Sequence, residues 1–331
     1  MAPPVDAPEA VVVPAVFALI FAVGVVGNAL VMAVVARRPR AVGSTSIFIV
    51  NLSAADLLFL VLCVPLHAAV YALPHWVFGA LLCTLAHYFV MACMLVSVFT
   101  LVALSVDRYV AVVRANRAPR VRSRRTALAG VCVIWILSLI LSVPVAQHQV
   151  LTEHPSAPNA TFCWERWSGA SRRAYRVTVL LLGYVLPLLV ISCCYTRVLI
   201  HIHKKMKNMT KKSERSKKKT TQTVLLVVTA FLISWMPYHI IAMWVEFGTF
   251  PLNDATFAFR IISHCLSYGN SCINPVLYAF MSENFRKACR QAFTCRCPCL
   301  APESKTVQFR LETFTTTHTN VTVQKQNSVI S

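Results

Sequence analysis

The chain is 331 residues long, 57% hydrophobic and only 13% charged, with a formal net charge of +20. Soluble domains carry about a quarter charged residues, so the composition argues against a water-soluble fold and for a chain that sits in lipid. The positive charge lies between the apolar stretches. That argues against a nucleic-acid surface and for a topology signal that also contacts anionic lipid.

Seven apolar stretches follow along the chain, near residues 11–36, 46–72, 82–113, 127–147, 175–203, 221–247 and 255–281. Crossing a bilayer takes about 20 residues as helix but only about 10 as a barrel strand. Backbone groups in hydrocarbon need internal partners, so these seven spans are expected to be helices. The expected fold is an all-α membrane protein, a seven-helix bundle over 11–281. Residues 1–10 form the amino terminus, 282–294 a short amphipathic helix on the membrane surface, and 295–331 a disordered cytoplasmic tail.

Of the 32 Lys and Arg residues, all but Arg166, Arg172, Arg173, Arg176 and Arg260 fall between spans 1 and 2, from Arg108 to Arg125 joining spans 3 and 4, from Arg197 to Lys219 joining spans 5 and 6, or after span 7. Positive residues collect on the cytoplasmic side. The amino terminus is therefore expected outside and the tail inside, in a multi-pass protein of the plasma membrane. The first ten residues hold Asp6 and Glu9 and no Lys or Arg. A cleaved signal peptide starts with positive charge, so span 1 is expected to stay.

Most of the thirteen cysteines lie in spans, where Cys behaves as a small hydrophobe. Cys83, opening span 3, and Cys163, in the loop between spans 4 and 5, both face the oxidising exterior, so a bridge between them is expected. Cys295, Cys297 and Cys299 follow the amphipathic stretch and suit palmitoylation. Their spacing lacks a fourth ligand free of that helix, so no transition metal is expected. Asn-X-Ser/Thr occurs at Asn51, Asn159, Asn208 and Asn320. Only Asn159 faces outside, so only it is a glycosylation acceptor.

Polar groups inside a membrane span are costly and mark function. Span 1 has Gly27-Asn28, and span 2 has Asp56 in Asn51-Leu-Ser-Ala-Ala-Asp. Span 3 ends in Asp107-Arg108-Tyr109, and span 4 has Trp135. Span 5 has Pro187 and Tyr195, and span 6 has Ser234-Trp235-Met-Pro237. Span 7 has Asn270, Ser271 and Asn274-Pro275-Val-Leu-Tyr278. Together, one set per span in this order, they resemble the rhodopsin-like G-protein-coupled receptors from about residue 15 to 295.

That resemblance implies several roles. Arg108 is held by Asp107 at rest and is released to line a G-protein cavity when span 6 swings out. Many relatives add an acid near the start of span 6, where this chain has Lys217. Asp56, Ser97, Asn270, Ser271 and Asn274 converge at mid-membrane on a sodium ion that favours the inactive state, and oxygen ligands suit a hard cation. The alternative is a hydrated polar network without an ion. Pro237 and Pro275 bend their helices into hinges, and Phe231 and Trp235 report ligand to that hinge. Heterotrimeric G protein is the implied partner, with arrestin and receptor kinases at the tail.

Two ligand classes are disfavoured. An opsin needs a Lys in span 7, where this chain has Tyr268. An amine receptor needs an acid in span 3, where it has Val90. Aromatic residues and His, with Glu246 and Arg260 near the mouth, suit a peptide.

The strings Tyr71-Ala-Leu-Pro-His-Trp, Thr161-Phe-Cys-Trp-Glu-Arg-Trp, His203-Lys-Lys-Met-Lys-Asn-Met-Thr-Lys-Lys-Ser-Glu, Glu246-Phe-Gly-Thr-Phe-Pro-Leu and Ser282-Glu-Asn-Phe-Arg-Lys-Ala resemble the galanin receptors, the type 1 branch above others. This implies a receptor for galanin or a galanin-like peptide, coupled to Gi/o and lowering cyclic AMP. Tyr71, Phe162, His239, Glu246, Phe257, Arg260 and His264 match the family's binding residues, and Trp164 is expected beside them. Tyr238 and Ala242 stand where type 1 receptors have His, which leaves a related ligand such as spexin open. Receptors of the allatostatin-A or kisspeptin type are the other readings. A transporter would show repeat symmetry and interrupted helices. An enzyme would show a metal or nucleophile constellation, and His67, His87 and His264 lack ligand-like spacing. No cofactor is expected beyond the sodium ion.

Overall fold

The computed structural model describes residues 8–37, 43–115, 118–154, 157–205, 211–251 and 253–281. The expected surface helix over 282–294, the tail, Cys295, Cys297 and Cys299 lie outside them, as does most of the amino-terminal segment 1–10.

Seven helical spans run in the order the apolar pattern predicts. Span 1 is Pro8–Ala36, and span 2 is Ser44–Leu62 continued by Val64–Ala72. Span 3 is Gly79–Val113 and span 4 is Arg124–Gln147. Span 5 runs through Gly169–Leu180, a π-helical turn Leu181–Val185 and Leu186–Lys205. Span 6 is Lys211–Phe247 and span 7 is Asp254–Met281. Six are long and apolar enough to cross a membrane on composition alone. Span 7 is long enough too, with 28 residues. It carries Ser263, Ser267, Asn270, Ser271 and Asn274, all buried, so its polar residues face the bundle.

Local chemistry accounts for the breaks. Span 2 interrupts at Cys63, two residues before Pro65. The proline ring removes the N–H that would bond Val61 and crowds that carbonyl. The π-helical turn of span 5 ends just before Pro187. Span 6 begins ten residues before the expected start, because the Lys-rich connection continues the helix. Span 7 starts on a reciprocal cap: Thr256 N–H donates to Asn253 Oδ1 at 3.0 Å, and Asn253 N–H donates to Thr256 Oγ1 at 3.2 Å.

Packing is inverted relative to a soluble bundle. In span 4, Ser138 and Ser142 are fully buried, while Ile136, Leu137 and Ile140 are exposed. In lipid an apolar outer face costs nothing, and small residues let helices approach closely. Span 3 forms the centre, packing on spans 2, 4, 5 and 6. Its Met94, Leu95, Val96, Val98 and Leu101 are buried with Phe231 and Trp235 of span 6. Span 1 lies so close to its neighbours that a β-carbon on Gly24 would sit 2.5 Å from Leu60 Cδ1, and one on Gly27 2.7 Å from Pro275 Cγ.

The long connection between spans 4 and 5 is a β-hairpin, β1 (Gln149–His154) paired antiparallel with β2 (Ala157–Glu165). The period-2 signal there is weak. Cys163 in β2 is joined to Cys83 of span 3. Trp76 N–H donates to the Thr161 carbonyl at 2.7 Å, and Thr161 Oγ1 donates back to the Trp76 carbonyl at 2.8 Å.

Candidate ligand-binding site

Spans 2, 3, 5, 6 and 7 diverge at the end where the hairpin lies, leaving a cavity of about 830 Å³. The hairpin supplies one wall through Phe162, Trp164 and Glu165, and Trp235 and Tyr268 line it from spans 6 and 7. Six of the eight expected binding residues line it: Tyr71, Phe162, Trp164, Phe257, Arg260 and His264. They come from three elements far apart in sequence, joined here because spans 2 and 7 flank the hairpin.

The other two sit elsewhere. His239 is buried against span 5, its ring 5.0 Å from that of Tyr184 and 5.3 Å from that of Tyr238. Its Nε2 has no hydrogen-bond partner among the described residues. Glu246, expected as a rim charge, has a side chain only 6% exposed, with its Oε1 2.8 Å from Arg172 Nε.

Histidine dominates the span 2, 3 and 7 side. His67 and His264 have ring centroids 6.1 Å apart, His67 and His87 5.6 Å. Tyr71 Oη lies 3.3 Å from His264 Nδ1. His67 Nδ1 faces the Cys63 carbonyl and His87 Nδ1 the Cys83 carbonyl, each at 2.9 Å. A carbonyl only accepts, so Nδ1 carries the proton in both rings and Nε2 is the acceptor. The sequence offers these two only as metal ligands without ligand-like spacing; their places at the ends of spans 2 and 3 beside the hairpin are the signal that they line a site. Among the described residues no His, Cys, Asp or Glu group could hold a metal ion.

Opposite lies a chain of charges that the sequence did not reveal. Arg176 of span 5 donates to Glu165 Oε2 at 2.6 Å and to Tyr238 Oη at 3.3 Å. Arg172, one turn earlier, lies 3.4 Å from Glu165 Oε1 as well as beside Glu246. Four of the five groups come from residues remote in sequence from at least one partner, so spacing could not have paired them.

Deeper in the bundle, Asp56 is fully enclosed. Ser271 Oγ donates to its Oδ1 at 2.9 Å and Asn274 Nδ2 to its Oδ2 at 2.8 Å. Ser97 and Asn270, the other expected members, are buried in the neighbouring spans. Asn28 ties span 1 to the same region, donating to the Ser271 carbonyl at 2.8 Å. Above it, Trp235 packs with Phe231 at 6.0 Å and Tyr238 at 5.8 Å between ring centroids. Pro237 and Pro275 lie inside their helices.

At the opposite end, Asp107 receives Ser44 Oγ at 2.6 Å, Thr45 Oγ1 at 2.7 Å and Arg122 Nε at 2.9 Å. Besides Arg108, its expected partner, the Asp107 carboxylate thus meets span 2 and Arg122 beyond span 3. Tyr109 Oη accepts from Arg114 Nε at 3.2 Å, and Tyr195 is buried. Asn159 lies in β2, but its side chain and that of Tyr278 fall outside the description.

Comparison with known proteins gives a consistent result. Residues 27–278 match the family described as "7 transmembrane receptor (rhodopsin family)". The chain is 57% identical to galanin receptor type 1 of Homo sapiens over 285 residues, 85% of this chain and 81% of the relative. It is 53% identical to galanin receptor type 1 of Mus musculus over 312 residues, 93% of this chain and 88% of the relative. Galanin receptor type 2 of Rattus norvegicus is 44% identical over 286 residues, 86% of this chain and 76% of the relative.

Proposed function

We propose, for a chain that belongs to the rhodopsin family of seven-transmembrane receptors and within it to the galanin receptors, that its outer cavity binds galanin or a galanin-like peptide and signals through Gi/o to lower cyclic AMP. The observation that carries this reading is the cavity, about 830 Å³, walled by a hairpin and lined with aromatic side chains, His and Arg260. A peptide offers aromatic and polar groups together, and such a mixed lining can satisfy both. As a member of this receptor family the chain is not an enzyme. The amino terminus faces outside, arrestin and receptor kinases act on the tail, Asn159 carries glycan, and Cys295, Cys297 or Cys299 carries palmitate.

The test is a peptide panel on cells expressing the chain, with cyclic AMP and calcium followed in parallel. Galanin is expected to lower stimulated cyclic AMP without a calcium rise. Silence toward galanin with a response to spexin, or to an allatostatin-A or kisspeptin-type peptide, would replace the reading. Tyr238 and Ala242 are the reason those peptides belong in the panel.

The mid-membrane cluster is proposed as a sodium site. The donor set fits: the Asp56 carboxylate with the Ser97 and Ser271 hydroxyls, all oxygen and all buried, flanked by Asn270 and Asn274. Among the described residues no Lys or Arg neutralises Asp56. A hard cation suits such a set. An ion that prefers the resting arrangement opposes an agonist that prefers the active one. Sodium is therefore expected to weaken agonist binding several-fold in the parent and to have no effect in Asp56→Asn. Radioligand competition with and without sodium reads this, and equal sodium sensitivity in both would rule the site out.

A further inference from the structure

Glu246 matches a family binding position, yet it does not line the cavity and its side chain is almost wholly covered. Against it lies Arg172, whose Nε stands at ion-pair distance from two carboxylates, 2.8 Å from Glu246 and 3.4 Å from Glu165, without hydrogen-bond alignment to either. Glu165 is the last residue of β2, two beyond the bridged Cys163, and it does line the cavity. Its second oxygen takes Arg176 at 2.6 Å, and Arg176 reaches Tyr238 of span 6 at 3.3 Å. The groups alternate in sign along the chain Glu246, Arg172, Glu165, Arg176, with Tyr238 at its end. The chain leaves span 6 at Glu246, passes through span 5 and the hairpin, and returns to span 6 at Tyr238, two turns deeper. Arg172 also donates to the Trp167 carbonyl at 3.4 Å, and the Trp167 ring stacks on His148 at 4.1 Å. The cation is thus fixed to the connection between hairpin and span 5 as well as to the two acids.

We infer that Arg172 and Glu246 are positioning residues for the peptide site: Glu246 acts on the ligand through Arg172 and Glu165, bracing the hairpin wall against the outer end of span 6, and does not itself touch the peptide. The inference rests on the cavity being the peptide site. Removing Arg172 leaves Glu246, 6% exposed, charged and poorly solvated. Each loss therefore lets the Glu165 end of the wall shift. The same chain gives the peptide a route to span 6. Only Glu165, Arg176 and Tyr238 face the cavity, so a ligand that displaces Glu165 is felt at Glu246 through one guanidinium.

The deciding experiment is a double-mutant cycle on the full-length receptor with Glu246→Gln and Arg172→Gln, surface amounts being measured in parallel. Galanin potency is expected to fall about tenfold in each single variant. The double variant should lose about tenfold in all, no more than either single variant, rather than the hundredfold that independent sites would give. Arg172→Lys, which keeps the charge, should recover most of the potency. If Glu246 touched the peptide directly, Glu246→Gln would cost as much in the Arg172→Gln background as in the parent, and that result overturns the proposal. A second cycle on the thermal unfolding midpoint of the purified, ligand-free receptor needs no peptide. There too the double variant should unfold no lower than the weaker single variant. If galanin proves inactive on the parent, the functional reading falls while this second cycle still judges the brace. Additive losses in it would end the brace as well.

Discussion

Cys83→Ala is expected to reach the cell surface in a small fraction of the parent's amount, and what arrives should have lost peptide binding. The bridge to Cys163 closes a loop of 80 residues and fastens β2 to span 3. Removing a native bridge from a small secreted domain costs about 2–5 kcal/mol. The remaining attachments of the hairpin are weaker. The two hydrogen bonds between Trp76 and Thr161 contribute about 1 kcal/mol each. The Glu165–Arg176 pair is partly exposed and contributes about the same or less. These come together to about 3 kcal/mol, within the range of the loss and not above it, and Phe162 and Trp164, the residues on either side of Cys163, both line the cavity. The binding wall therefore loosens with the bridge. Surface staining and peptide binding read the outcome. Unchanged binding in the variant, with Cys163 of the parent alkylated under non-reducing conditions, would defeat the expectation.

The sequence carried the architecture because lipid imposes a long-wavelength pattern. Twenty apolar residues per span and Lys or Arg between spans are legible without any knowledge of contacts. Span 7 was found in the same way although its polar residues dilute the signal, because it retains the length. The bridge followed from topology alone. The hairpin did not: β1 and β2 are of ordinary strand length, but their alternation is weak, and Cys163 and Thr161 are held by partners remote in sequence. Charge partners were equally hidden. Asp107 is held by Ser44, Thr45 and Arg122, partners that its sequence neighbourhood does not point to. Glu246 looks like a rim charge on its helix, and only the fold shows Arg172 lying against it. Of the expected residues that line the cavity, Tyr71, Phe257, Arg260 and His264 sit near span ends, and Phe162 and Trp164 flank the bridged Cys163. His239 lay on the correct span, but which face it presents depends on the packing of span 5 around the π-helical turn.

That difference sets the last expected result, the ranking of two aromatic positions in the peptide site. Phe257 lines the cavity at the outer end of span 7 and is 37% exposed without ligand, so a peptide has apolar area there still to bury. His239 is 3% exposed and turned toward Tyr184. It offers a ligand almost no surface, and its influence passes through Tyr238, which packs on it and on Trp235. A buried aromatic anchor in an interface costs about 2 kcal/mol or more on truncation, near thirtyfold in affinity. Phe257→Ala should show that loss, mainly as faster dissociation of labelled peptide, since anchors act chiefly on the off-rate. His239→Ala should lose less affinity and instead lower the thermal stability of the ligand-free receptor, because truncation opens a void between spans 5 and 6. The pair separates two geometries that the family resemblance alone treats alike. Equal potency of galanin on the parent and on Phe257→Ala would place the peptide elsewhere. A larger affinity loss from His239→Ala than from Phe257→Ala would mean that the peptide opens the Tyr184 contact and reaches the imidazole directly.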